Sequence, residues 1–389
     1  MFIVPQVRSG FTVRVACLYA ALFITAGIQL PFFPVWLKAK GLDAGDIGLV
    51  LAVPMLARVL AIPLATRIAD RRDALREAIM VASALSVAGY LLLGLASGAT
   101  AILVAYAVAS LAYAPIMPIA ETYTLRGLMA RGRAYGPVRL WGSAAFIAGT
   151  FLAGFATDAI PARHLIWLIF GGMVLAAFSA LMLAPLASGA APATAPPPPA
   201  KSLLRDRAFV AVIAAASLIQ SSHAVYYSFS ALAWRGEGLG GGAIAALWAL
   251  GVIAEIVLFA LSARLPASVT PRMLLLIGGF GGALRWTVMA FNPPTAALPF
   301  LQLLHAASFG TTHLGALSYL ARHTPAGQGA TAQGYLAISL AAAMAAATAV
   351  SGALYERVGA ASYAAMALIA VAGGACALIL HGAGRQAAA

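Results

Sequence analysis

About twelve apolar stretches, each long enough to cross a bilayer as a helix, follow one another along the 389 residues of this chain. They cover residues 11–37, 46–66, 75–96, 100–125, 136–157, 163–185, 207–233, 243–263, 272–291, 296–320, 330–354 and 360–381. Only 9% of the residues are charged, against about 25% in soluble domains, so a fold whose solvent is water is excluded. In hydrocarbon every backbone polar group must be satisfied within the protein, which leaves a helix bundle or a closed barrel. The stretches are rich in Ala and Leu and do not alternate apolar with polar positions as barrel strands do. The expectation is an all-α membrane protein of twelve transmembrane helices.

Between the sixth and seventh stretches lies ASGAAPATAPPPPAKS, a Pro- and Ala-rich run without apolar periodicity. It divides the chain into a first six-helix bundle, 1–186, a linker, 187–205, and a second bundle, 206–389. The loops sharing a side with the N-terminus hold sixteen of the 24 Lys and Arg residues, among them Arg67, Arg71, Arg72, Arg126, Arg131 and Arg133. The opposite loops hold five: Lys38, Lys40, Arg163, Arg235 and Arg357. That bias places both termini and the linker in the cytoplasm, and it accounts for the net charge of +13 without a nucleic-acid partner. The first apolar run is too long for a cleaved signal and ends in QLPFFPVWLK, without a small-residue cleavage site. Cys17 and Cys376 sit in the first and last stretches as small apolar residues.

The halves echo each other. A shift of 197 residues lays LAVPMLARVLAIPLATRI over WALGVIAEIVLFALSARL, aligning Arg58 with Glu255 and Arg67 with Arg264. A similar shift lays Gly136 and Gly154 on Gly334 and Gly352, and Asp158 on Glu356. With the linker, these coincidences support two related six-helix halves.

Charges inside the apolar stretches are the candidate functional residues, because an unpaired charge there costs roughly 2.5–3.5 kcal/mol on insertion scales. Glu121 lies five residues before Arg126 and Arg139 four beyond Tyr135, so each is about 6–8 Å from its helix end at 1.5 Å per residue. At such matched depths they are expected to meet or to share a ligand. Glu255 falls near the midplane and Arg285 is similarly deep in the next stretch. If they pair, protonation of Glu255 releases Arg285 or a ligand, which is one way to couple a proton to a solute; the alternative is a permanent strut. Arg58 has no acid within a turn of its own helix, and suits an anionic substrate, a pair with Glu121, or a side chain that snorkels toward the cytoplasm. His223, His305 and His313 are candidate proton carriers because histidine titrates near neutral pH. They show no metal-ligand spacing, and no metal site is expected.

PFFPVWLKAKGLDAGDIG (31–48) and YGPVRLWGS (135–143) resemble the first helix end and the fifth helix start of the lactose permease-like group of the major facilitator superfamily. SLIQSSHAVYYSFSALAW, LWALGVIAEIVLFALS, GALRW and LLHAASFGTTHLGALSYLA look closer still to the 3-phenylpropionic acid transporter branch of that group. The resemblance covers nearly the whole chain, linker excepted. It implies that Arg139 binds substrate with Glu121, that Glu255 joins the substrate and proton sites, and that His305 is the helix-ten histidine. It also implies that Asp70, with Arg71 and Arg72, gates the cytoplasmic side, although ATRIADRRDALR lacks the glycines of that loop motif. Two departures stand out. Where the group has a proton-carrying glutamate one turn after the helix-ten histidine, this chain has Ser308; where it has a sugar-stacking tryptophan, this chain has Phe146, with Trp141 the nearest tryptophan.

The resulting expectation is a secondary active transporter, a proton-coupled symporter of a small organic solute such as an aromatic carboxylate. The substrate site is expected to hold Glu121, Arg139, Phe146, Trp141, Tyr226 and Trp248, since a guanidinium suits a carboxylate and rings suit a ring. The coupling site is expected to hold Glu255, Arg285, His305, His313 and His223. Proton symport of a sugar or nucleoside, or drug export, is the alternative. No cluster of nucleophile, acid and metal groups suggests an enzyme. No cofactor beyond the proton gradient is expected, and the chain is read as a multi-pass monomer of a bacterial cytoplasmic (inner) membrane.

Overall fold

The computed structural model describes residues 10–186, 200–266, 268–325 and 328–380. Both termini and linker residues 187–199, on which the expected linker and the cytoplasmic termini turn, lie outside them. Among the described residues the chain is all helix, with no strand. The helices are α1 Gly10–Ala39, α2 Ala44–Arg71, α3 Leu75–Leu95, α4 Ala99–Tyr113, α5 Ile116–Met129, α6 Gly136–Ala159, α7 Ile166–Leu181, α8 Arg207–Ser221, α9 Ala224–Gly236, α10 Gly241–Leu261, α11 Pro271–Ala290, α12 Leu298–His305, α13 Thr311–His323, α14 Gly329–Val358 and α15 Tyr363–Leu378. Among the described residues ten helical segments are long and apolar enough to cross a membrane, the last of them, Thr331–Leu378, running through both α14 and α15. Leu60, Phe155, Phe178, Phe280, Phe300 and Leu368 are 61–77% exposed; apolar surface of this kind marks a lipid-facing wall.

Three stretches expected to be continuous are broken, each for a local reason. Pro115 separates α4 from α5, because proline has no N–H to give the helix. At the α8–α9 junction, Ser221 and Ser222 hydroxyls donate to the carbonyls of Leu218 and Ile219 at 3.0 and 2.6 Å. The His223 ring meets the Gln220 carbonyl at 3.1 Å. Three consecutive side chains thus compete with the backbone for helix carbonyls, which opens the ladder. Between α12 and α13 the helix widens into a π turn over Ala306–Gly310, a form that recurs at functional sites.

The described residues form two compact units, one within 10–42, 57–186 and 239–245, the other within 43–56, 200–238 and 246–380. In the first, α1 packs on α6 and α7, and α3 on α4, α5 and α7. The α1–α6 crossing is backbone on backbone: a Cβ added at Gly27 would strike the Phe146 carbonyl, and one at Gly149 the Ile24 carbonyl. Small residues allow this approach, and Thr150 Oγ1 fastens it by donating to Gly27 O at 3.0 Å and Phe146 O at 2.9 Å. Asp158, at the end of α6, accepts the Gly241 backbone N–H at 2.8 Å and so caps α10.

The second unit repeats the pairing in the same order. Its first helix pair, α8 and α9, packs on α14, α8 on α15, and α11 on α13 and α15. Gly352 lies against Gly48 and Ala44 as Gly154 lies against Gly241 in the first unit. Gly154 and Gly352, 198 residues apart, therefore make corresponding contacts with residues 197 apart, Gly241 and Ala44.

Candidate functional site

In the first unit α1, α5 and α6 converge on the expected Glu121–Arg139 pair, but the two charges do not bond to each other. The Tyr135 hydroxyl donates to Glu121 Oε1 at 3.4 Å and lies 3.5 Å from the Tyr19 hydroxyl. Tyr19 stacks on Phe23 with ring centroids 6.3 Å apart, and the Phe23 face carries the Arg139 guanidinium at 4.3 Å. The route from acid to base thus runs through a phenol and two rings on α1. Among the described residues no ion pair joins Glu121 to Arg139, and Arg139 Nη1 is buried without a hydrogen-bond partner.

The ring platform for Arg139 is therefore Phe23, not a residue of its own helix. Trp141 is 60% exposed. Two residues from Arg139, it points about 200° away around the helix, which removes it from the group at Arg139. Phe146 sits at the α1–α6 crossing, where its carbonyl meets Gly27 and Thr150. Arg58 on α2 has its Nε buried without a hydrogen-bond partner.

Asp70 pairs with Arg126 of the same unit at 3.5 Å, and Arg126 also holds Asp73 at 3.1 Å. Arg71 and Arg72 are exposed and make no ion pair among the described residues. Such half-exposed pairs contribute about 0–1 kcal/mol each. Sequence reasoning missed both Asp73 and the part played by Arg126.

The second unit holds the denser site. Arg285 of α11 is fully buried, sandwiched between the rings of Tyr226 at 4.6 Å and Trp286 at 4.5 Å. Its Nη2 donates to Gln302 Oε1 at 2.7 Å, and the same oxygen accepts from the Tyr226 hydroxyl at 3.0 Å. Its Nη1 meets His305 Nδ1 at 3.2 Å, and His305 Nε2 lies 3.5 Å from Glu255 Oε2. Glu255 and Arg285 are thus linked through His305. A guanidinium can only donate, so His305 Nδ1 must be the acceptor. The ring proton then sits on Nε2 and points at Glu255.

His223, at the α8–α9 break, takes the opposite tautomer. Its Nδ1 faces the Gln220 carbonyl, which can only accept, and its Nε2 faces Ser308 Oγ at 3.1 Å. Ser308, at the position of the group's glutamate, thus donates to His223. Trp248 stacks on Tyr226 with ring centroids 4.6 Å apart. His313 stacks on Phe309, which stacks on His305 in turn; among the described residues His313 makes no hydrogen bond to the Glu255–His305 pair. Three donors in this site are buried without a hydrogen-bond partner: Arg285 Nε, Gln302 Nε2 and Trp248 Nε1. Gln302 was missed from the sequence, because an uncharged amide carries no insertion penalty large enough to single it out.

The comparisons with known proteins agree with this architecture. Residues 12–365 match the MFS_1 like family. The chain is 31% identical over 358 residues to the probable 3-phenylpropionic acid transporter of Escherichia coli (strain K12), covering 91% of this chain and 93% of that protein. It is 26% identical to the maltose permease of Geobacillus stearothermophilus, over 79% of this chain and 78% of that one. Among solved structures, nucleoside transporter NupG superimposes with a TM-score of 0.81 at 14% identity, covering 95% of this chain and 98% of that chain. A bacterial homologue of the human lysosomal transporter Spinster, inward-facing and occupied, gives 0.72 at 15%, covering 97% of each chain. At these identities the two structures establish the fold alone. The chain belongs to the MFS_1 like family, within the major facilitator transporters, and is a transporter rather than an enzyme.

Proposed function

We propose that this protein is a proton-coupled symporter that brings a small aromatic carboxylate across a bacterial inner membrane by alternating access. It does so with twelve spans in two six-helix bundles, as a monomer with both termini in the cytoplasm. The twelve-span count takes α4–α5, α8–α9 and α12–α13 as one broken span each and α14 and α15 as two.

The observation that carries the substrate class is the set of three unpartnered donors around the Tyr226–Trp248 stack. A buried donor left without an acceptor costs about 1–3 kcal/mol, and more when charged. An arriving carboxylate supplies acceptors to Arg285 and Gln302, while its aromatic ring finds the Tyr226 and Trp248 faces. The 31% identity to a probable 3-phenylpropionic acid transporter supports the same reading. In the first unit, Arg139 on Phe23, with a buried and unpartnered Nη1, adds a second cation suited to an anion. None of Asp70, Arg71 and Arg72 is needed for substrate recognition; their part in this proposal is at the cytoplasmic gate, with Arg126 as the partner of Asp70.

Thermal melting of the purified protein with a panel of small carboxylates, sugars and nucleosides tests this. Stabilisation by 3-phenylpropionate and not by the sugars or nucleosides is expected. A shift with a neutral sugar or nucleoside and none with any carboxylate overturns it.

A further inference from the structure

We infer that the proton coupled to transport is carried by His223, held by Ser308, and not by His305. The inference rests on the symport reading above and names the group that reading leaves open. His305 cannot take a proton where it stands: its free nitrogen, Nδ1, is the acceptor for Arg285 at 3.2 Å, and an N–H there would face another N–H. His223 can. Its Nδ1 already donates to the Gln220 carbonyl, and its Nε2 lone pair meets the Ser308 hydroxyl. A hydroxyl both donates and accepts. When a proton arrives on Nε2, the Ser308 hydrogen rotates away and its oxygen accepts the new N–H, with no heavy atom displaced.

The surroundings of His223 supply the coupling. From α9 Tyr227 stacks on it at 5.7 Å. From α11 come Trp286 at 4.9 Å and the neighbouring Arg285. From α12 and the π turn come His305 at 5.4 Å and Phe309 at 5.9 Å, with Glu255 behind His305. Tyr363, the first residue of α15, stacks on Trp286. On α14 the ionisable side chains described here are Tyr335, on Phe209, and Tyr355, on Phe229, followed by Glu356 and Arg357 at its end. Arg285, bonded to the His305 ring that packs on His223, is the cation that opposes a second positive charge on His223. A substrate carboxylate at Arg285 neutralises that cation, so binding the anion raises the proton affinity of His223. By linkage, a proton on His223 tightens the anion to the same degree.

The test is proton uptake on ligand binding, read with a pH indicator in weakly buffered detergent solution at saturating 3-phenylpropionate. The wild-type protein is expected to take up a proton with the ligand, His223→Gln to bind without taking one up, and Glu255→Gln to take one up whenever ligand is bound. A His223→Gln variant that binds and still takes up the proton overturns the inference, as does a Glu255→Gln variant that binds without doing so. Because His223 is fully buried, nitrogen-15 resonances of the wild-type histidines provide the second measurement. His223 is expected to pass from one protonated nitrogen to two when ligand binds, and a His223 that keeps one while His305 gains a proton sinks the inference. Absence of 3-phenylpropionate binding to the wild-type protein contradicts the substrate reading instead, so the two failures are told apart.

Discussion

Gln302→Glu replaces an amide by a carboxylate of nearly the same shape at the point where Arg285 and Tyr226 converge. Both contacts, 2.7 Å from Arg285 Nη2 and 3.0 Å from the Tyr226 hydroxyl, survive the change, and the unpartnered Nε2 disappears. A hydrogen bond between neutral groups contributes about 0.5–1.5 kcal/mol and one to a charged group about 1.5–3 kcal/mol. The Arg285 bond is already charge-assisted from one side, so the ligand-free protein is expected to gain about 1–3 kcal/mol from the two contacts together, which share an atom and do not add fully. The same carboxylate occupies the cation that the substrate carboxylate needs. Loss of one charge-assisted bond weakens binding by about 10- to 150-fold, at 1.4 kcal/mol per tenfold. The expected signature is therefore opposite in sign in two assays: a higher melting temperature without ligand, and weaker 3-phenylpropionate binding followed by tryptophan fluorescence. Trp234, Trp248 and Trp286 all contact Tyr226, so three of the six tryptophans report on this site. A variant that melts lower without ligand and binds as tightly as the wild type refutes the reasoning.

Two further predictions follow from the first unit. Phe23→Ala removes the ring under Arg139; a partly desolvated cation–π contact contributes about 1–2 kcal/mol, so the apparent KM for uptake is expected to rise by about 5- to 30-fold, and an unchanged KM counts against an Arg139 role in binding. Gly149→Val drives a side chain into the Ile24 carbonyl at the α1–α6 crossing. Overpacking of this kind costs about 1–3 kcal/mol, so the variant is expected to melt below the wild type with or without ligand.

Much of this architecture was legible in the sequence because lipid imposes simple rules. Long apolar runs gave the helical positions, and isolated charges in them gave Glu121, Arg139, Glu255 and Arg285. What the sequence hid was the set of intermediaries. Glu121 and Arg139, at depths that suit either a direct pair or a shared ligand, have Tyr135, Tyr19 and Phe23 along the route between them; an aromatic residue in an apolar helix is indistinguishable from lipid-facing packing until its neighbours are known. Glu255 and Arg285, which the sequence places at similar depth, are bridged by His305, the residue just before the π turn. Trp141 was expected near the substrate, but a displacement of two residues on a helix turns it away from Arg139. Ser308 read as a loss, a glutamate missing; its hydroxyl in fact meets His223 from a helix break that the serines at 221 and 222 create. Helix breaks of this sort come from side chain-to-carbonyl bonds, which a hydropathy pattern does not register.

The central claim is that an aromatic carboxylate moves with a proton. Uptake of labelled 3-phenylpropionate into proteoliposomes, with the outside acidified and a protonophore as control, tests it most directly. Accumulation above the outside concentration, abolished by the protonophore and by Arg285→Ala, is the predicted result. Wild-type liposomes that show no uptake, or that equilibrate the label equally well with and without the gradient, contradict the account.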